Sequence, residues 1–88
     1  MSEEETLLEF PCEFSIKAMG LATPEFDAVV VEIVRRHAPD LGEGAVRTRP
    51  SSGGKYLAVT VTINAISKQQ LDSIYQALTD HELVLMSL

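Results

Sequence analysis

Apolar and polar side chains alternate along residues 13–20, with Phe14, Ile16 and Ala18 pointing one way and Ser15, Lys17 and Met19 the other. That is the period of a strand with one buried face, ending at Gly20. Thr23-Pro24-Glu25 then reads as a helix start, since the Thr23 hydroxyl can accept from an orphan N–H and Pro24 lacks the donor that a first helical position would waste. Phe26, Val29, Val30, Ile33, Val34 and His37 recur at helical spacing. Arg35, Arg36 and His37 fall in the last turn, where the carbonyl end of the dipole favours cations, and Ala38-Pro39 stops the run. The spacing predicts a helix over 24–38 and a loop over 40–44.

A short strand follows over 45–49, with Val46 and Thr48 on one face, Arg47 and Arg49 on the other, and Pro50 at its end as suits a sheet edge. Ser51-Ser52-Gly53-Gly54 is a turn into a strand over 55–64, where Leu57, Val59, Val61 and Ile63 alternate with Ala58, Thr60, Thr62 and Asn64. Ser67 and Gln70 form a capping box before a helix whose buried stripe is Leu71, Ile74, Tyr75 and Leu78. Residues 83–88 read as a last strand, apolar on both faces. The order βαββαβ predicts an α+β fold, a ferredoxin-like two-layer sandwich with a four-stranded antiparallel sheet and both helices on one face. The first and third strands take its centre.

Eighty-eight residues suffice for one domain. The net charge is −6, yet five of the thirteen acids (Glu3, Glu4, Glu5, Glu9 and Glu13) stand in the first thirteen positions. The remaining eight acids nearly balance the seven cations, which leaves −1 for the body. The chain thus divides into an acidic leader and tether over 1–13 and one domain over 14–88. Residues 1–6 have nothing to bury, while Leu7, Leu8 and Phe10 are expected to lie against the body. A nucleic-acid partner is not expected, for want of a cationic surplus. Cys12 is the lone cysteine, so no internal disulfide is expected and a reducing, cytoplasmic setting fits. No apolar run approaches the ~20 residues of a membrane span.

Neither metal nor cofactor is expected. His37 and His81 stand in different elements without ligand spacing, His37 reading as a cap for helix carbonyls and Asp80-His81 as a turn. Ser-Ser-Gly-Gly-Lys lacks the spacing of a phosphate-binding loop, and Cys12 reads as a packing residue. Catalysis is therefore not expected. Topology does bring the 20–23 loop and the 51–55 hairpin to one end of the sheet, beside the first helix's N-terminus. Gly20, Thr23, Arg49, Ser51, Ser52 and Lys55 are the candidate ligand-binding residues there, for a carboxylate or a phosphate. The plainer alternative is a tight turn at Gly20 and a solvated hairpin. Ser15, Lys17, Met19, Ala58, Thr60 and Thr62 should form the uncovered sheet face, without the aromatic residues an RNA-recognition motif needs. Lys17, Arg47, Arg49 and Lys55 could make a local basic patch around the second strand. Leu83-Val84-Leu85-Met86 on a sheet edge invites a homodimer through that edge or the open face, unless the 7–10 segment or the N-terminal tail covers it.

Four ordered stretches, Phe14-Ser15-Ile16-Lys17-Ala18-Met19-Gly20, Arg36-His37-Ala38-Pro39, Pro50-Ser51-Ser52-Gly53-Gly54-Lys55-Tyr56 and Thr62-Ile63-Asn64-Ala65, resemble the YbeD family of small bacterial proteins of unknown function. The resemblance implies a ferredoxin-like fold similar to the ACT-type regulatory domains that bind amino acids at dimer interfaces, and a loose genomic association with lipoate attachment. It transfers no catalytic residue, and the 40–44 loop shows no match. Two functions follow: an ACT-like regulatory module sensing a small anionic metabolite, or a protein-interaction module working through its sheet edge or open face. Since the leader is expected to be dispensable, a chain lacking residues 1–6 should match the stability of the full chain in urea unfolding to within about 0.5 kcal/mol.

Overall fold

The computed structural model describes residues 9–88. Its elements are β1 (Cys12–Leu21), α1 (Phe26–His37), one 3₁₀ turn at Glu43–Ala45, β2 (Val46–Pro50), β3 (Tyr56–Ala65), α2 (Lys68–Asp80) and β4 (Met86–Ser87). The strands lie in the order β2-β3-β1-β4 and every pair is antiparallel. This is the ferredoxin-like sandwich that the βαββαβ order predicts. The expectations for residues 1–6, and for Leu7 and Leu8, lie outside the described residues, while Phe10 packs against the core rim.

The alternation along β1 and β3 decides where the core sits. Ile16 pairs with Val61 and Ala18 with Val59, and all four side chains are buried on the same side of the sheet. Phe26, Val30 and Val34 of α1, with Leu71, Ile74 and Leu78 of α2, close over them. Each such side chain contributes about 1.5–3 kcal/mol through its removal from water. β1 begins at Cys12, before the expected start, because Cys12 and Phe14 continue the inward series opposite Ala65 and Ile63.

Three expectations change for reasons of local hydrogen bonding. α1 begins at Phe26 and not at Pro24. The Thr23 N–H turns back to the Leu21 carbonyl (2.8 Å) and the Thr23 carbonyl accepts from Phe26 N–H (3.2 Å), so Thr23 lies in a tight turn and its hydroxyl caps nothing. At the other end of α1, the His37 carbonyl accepts from Gln70 Nε2 at 2.7 Å, so Gln70 takes the capping role expected of the His37 ring. The same Gln70 completes the capping of α2. Its N–H donates to Ser67 Oγ (3.0 Å) and its Oε1 accepts from the Ile66 N–H (2.8 Å), so one side chain joins the end of α1 to the start of α2.

The third departure is the last strand. The Leu83 N–H donates to His81 Nδ1 and the Val84 N–H to the His81 carbonyl, both at 3.1 Å. That turn draws Leu83 and Val84 half-buried onto the core, so the apolar run over 83–88 divides and the strand shrinks to Met86–Ser87. Lys17 and Leu88 then exchange backbone bonds at 3.0 and 2.8 Å, and the Tyr75 hydroxyl donates to the Leu88 carbonyl at 2.8 Å. Burial raises the Tyr75 hydroxyl above the ordinary tyrosine value, which keeps it a donor.

Gly20 is buried on the core side of β1, directly beneath α1. A Cβ there would strike the Leu83 carbonyl oxygen and lie 2.5 and 2.8 Å from two carbons of the Phe26 ring. Gly20→Ala should therefore lower stability by about 1–3 kcal/mol in urea unfolding, because neither a backbone carbonyl nor a fully buried ring can give way cheaply. Gly42→Ala, where nothing stands within 4 Å, is the control and should change stability by less than about 0.5 kcal/mol.

Candidate functional site

The Ala22 N–H donates to the Lys55 carbonyl at 2.9 Å, so the β1–α1 loop and the β2–β3 hairpin do stand side by side at one end of the sheet. The six candidate residues nonetheless divide between its two sides. Gly20 faces the core under Phe26, and the Thr23 hydroxyl is buried without a partner among the described residues. The first turn of α1 is already supplied with an acid, since the Asp27 carboxylate accepts from the Ala28 N–H at 2.8 Å. A second anion settling on those N–H groups would meet that charge. Ser51 is committed to the hairpin, where its Oγ accepts from Tyr56 N–H (3.0 Å), its N–H donates to the Tyr56 carbonyl (2.8 Å), and its own carbonyl accepts from Gly54 N–H (2.8 Å). Gly53 and Gly54 close the turn at φ of 90° and 76°, a region that side chains resist.

Arg49, Ser51 and Ser52 do come together, on the open face of the sheet, where with Met19, Pro50 and Ala58 they line a shallow concavity of about 450 Å³. Lys55 instead lays its Nζ 5.5 Å from the centre of the Tyr56 ring. The register explains the rest of this face. Arg47 on β2, Thr60 on β3 and Lys17 on β1 form one row across the sheet; Arg49, Ala58, Met19 and Met86 form the next. Lys17, Arg47 and Arg49 line a second concavity of about 340 Å³ beside Thr48 and Thr60. None of these three cationic side chains makes a hydrogen bond or ion pair among the described residues, whereas on α1 Arg36 reaches Glu32 at 3.2 Å. Two strand spacings separate the bases of Arg47 and Lys17, about 10 Å, and two residues along β2 separate those of Arg47 and Arg49, about 7 Å. Their long side chains can reach one common anion or several spaced along a chain.

Next to these cations the face turns apolar. Met19, Tyr56, Leu85 and Met86 line a third concavity of about 290 Å³, and Leu85 and Met86 are 60% and 53% exposed. Sequence reasoning places Lys17 and Met19 on this face and a basic patch around the second strand, from which Lys55 stands apart, but misses the apolar corner, because residues 83–88 read as one strand apolar on both faces. Away from the corner the face is polar, with Ser15 and Thr62 hydrogen-bonded through their hydroxyls at 3.0 Å. Cys12 is a half-buried thiol at the core rim. Among the described residues no three His, Cys, Asp or Glu side chains gather to hold a metal ion, and no helix is long and apolar enough to cross a membrane.

Fold and surface together define a ferredoxin-like α+β sandwich whose helices occupy one side and whose bare sheet face carries cations beside an apolar corner. The chain belongs to the family described as "Protein of unknown function (DUF493)", which matches residues 5–88. This upholds the resemblance to the YbeD proteins. A UPF0250 protein of Chromobacterium violaceum is 52% identical over 98% of this chain and 97% of its own. One from Neisseria gonorrhoeae is 51% identical over 96% of each chain. Among solved structures, the solution structure of protein HP0495 from H. pylori superposes with a TM-score of 0.72 over 99% of this chain and 91% of that one, at 12% identity. At that identity the likeness establishes the fold.

The division of the candidate residues has measurable consequences for stability. Ser51→Ala, which removes the acceptor for the Tyr56 N–H, should cost about 1 kcal/mol, and Ser52→Ala less than about 0.5. Thr23→Val removes a buried hydroxyl that has no partner and should leave stability equal or raise it by up to about 1 kcal/mol. Chemical denaturation of the three variants reads all of these outcomes.

Proposed function

We propose that the chain is a non-enzymatic binding module, regulatory in character, that holds an anionic partner on its open sheet face. The observation that carries this reading is the convergence of Lys17, Arg47 and Arg49 on adjacent rows of that face, with no carboxylate paired to them among the described residues. Three like charges rooted about 7–12 Å apart on one face repel one another, and an anion among them relieves that repulsion. The ACT-like reading, a small anionic metabolite held at the helix and hairpin end, is weakened by Gly20 lying beneath Phe26 and by Asp27 occupying the first turn of α1. Arg49 and Ser52 carry over from that reading to the open face. The module belongs in a reducing compartment such as the cytoplasm, where the single thiol of Cys12 needs no partner.

Nuclear magnetic resonance titration of the isotope-labelled chain with citrate, and separately with inorganic phosphate, tests the reading at low ionic strength. The expected result is a set of shifts centred on Lys17, Arg47, Arg49 and Thr60. The double variant Lys17→Glu/Arg49→Glu should bind at least about tenfold more weakly, and binding should fade as salt shortens the screening length. Shifts confined to residues 23–27 would return the site to the helix end, and the absence of any shift would refute an anion site on this domain.

A further inference from the structure

We infer that the open sheet face docks an acidic segment of another protein, one that carries an apolar anchor a few residues beyond its carboxylates. The inference rests on the anionic-partner reading and adds the kind of partner. The three concavities of the face run into one another: the cationic one shares Arg49 and Ala58 with the middle one, and the middle one shares Met19 with the apolar corner. From Arg47 on β2 to Met86 on β4 this track crosses three strand spacings and one row of the sheet, about 16 Å, the reach of an extended segment of about five residues. Each concavity is shallow and open, whereas sites for small molecules enclose most of their ligand. A peptide that crosses all three gathers contacts that none offers alone.

Charge complementarity selects the occupant. Carboxylates answer Lys17, Arg47 and Arg49, while a leucine- or phenylalanine-sized side chain fits the corner formed by Met19, Tyr56, Leu85 and Met86. The chain as a whole carries −6, so an acid-rich segment without the anchor meets net repulsion away from the patch. A nucleic acid would need a set of aromatic platforms on the central strands, where this face offers Tyr56 at one end of β3 and otherwise Ser15, Lys17, Met19, Ala58, Thr60 and Thr62. A second copy laid face to face would bring two sets of the same three cations together.

Fluorescence anisotropy on the full chain tests the inference with two labelled peptides. One has four glutamates followed by three leucines, and the other has serines in place of the leucines. The leucine peptide should bind at least about tenfold more tightly than the serine peptide. Met86→Ser, at a half-exposed position, should narrow that gap about threefold, and Lys17→Glu/Arg49→Glu should abolish binding of both peptides. Because the two peptides are compared on the unaltered protein, the outcome stands even if a variant folds poorly. Equal affinities, with charge reversal still effective, would overturn the inference while leaving the anionic-partner reading in place; indifference to charge reversal would overturn both. Displacement of the leucine peptide by a single-stranded RNA oligomer at lower concentration would overturn it in favour of nucleic acid. So would a dimer that the peptide dissociates, or a gain of about tenfold in affinity on removing residues 1–6, which would give the face to a second copy or to the chain's own acids.

Discussion

The antiparallel ladder between β1 and β3, from Cys12 opposite Ala65 to Leu21 opposite Tyr56, governs the two faces of this molecule. Because the side-chain period of a strand is two, the pairing that buries Ile16, Ala18, Val59 and Val61 necessarily delivers Lys17, Met19, Ala58 and Thr60 to the opposite side. A slip of one residue would put Lys17 into the core, at a cost far larger than any gain on the surface. The functional face is therefore held in register by the core. Its composition is free to vary only among residues that leave that alternation intact.

Packing on the helical side reaches the sheet through few but demanding contacts. Phe26 is completely buried, and its ring lies where a side chain at position 20 would have to go. Gly20 looks in sequence like an invitation to a ligand's backbone approach; in the structure the approach is made by Phe26 and by the Leu83 carbonyl. Gln70 performs a comparable service between the helices. By bonding to Ile66, Ser67 and His37 together, it satisfies terminal backbone groups of both helices and sets where α2 starts against the end of α1.

The open face has the opposite character. No hydrogen bond or ion pair among the described residues engages the charged ends of its three cations, and the apolar corner beside them includes the exposed side chains of Leu85 and Met86. A surface that pairs uncompensated charge with accessible apolar area gains from a partner of complementary pattern on both counts. The brevity of β4 contributes to this. Had residues 83–88 formed one full edge strand, Leu83 and Val84 would have joined the sheet instead of the core rim, and the molecule would present a longer edge for pairing.

Strand alternation, helical spacing, the hairpin glycines and the Ser67–Gln70 cap were legible without coordinates, because each is a local pattern whose physics needs only neighbours in the chain. They determined the element order, the ferredoxin-like architecture, the membership of Lys17, Met19 and Thr60 in the open face, and the basic patch contributed by Arg47 and Arg49. Tertiary structure decided what depends on distant partners. It placed Gly20 under Phe26, left the Thr23 hydroxyl without a partner, turned His81 back on Val84 to shorten the last strand, and brought Leu85 and Met86 beside Met19 and Tyr56. Periodicity assigns a side chain to a face; which side chains then share a cavity is settled by pairing register and by the space that the packed helices leave.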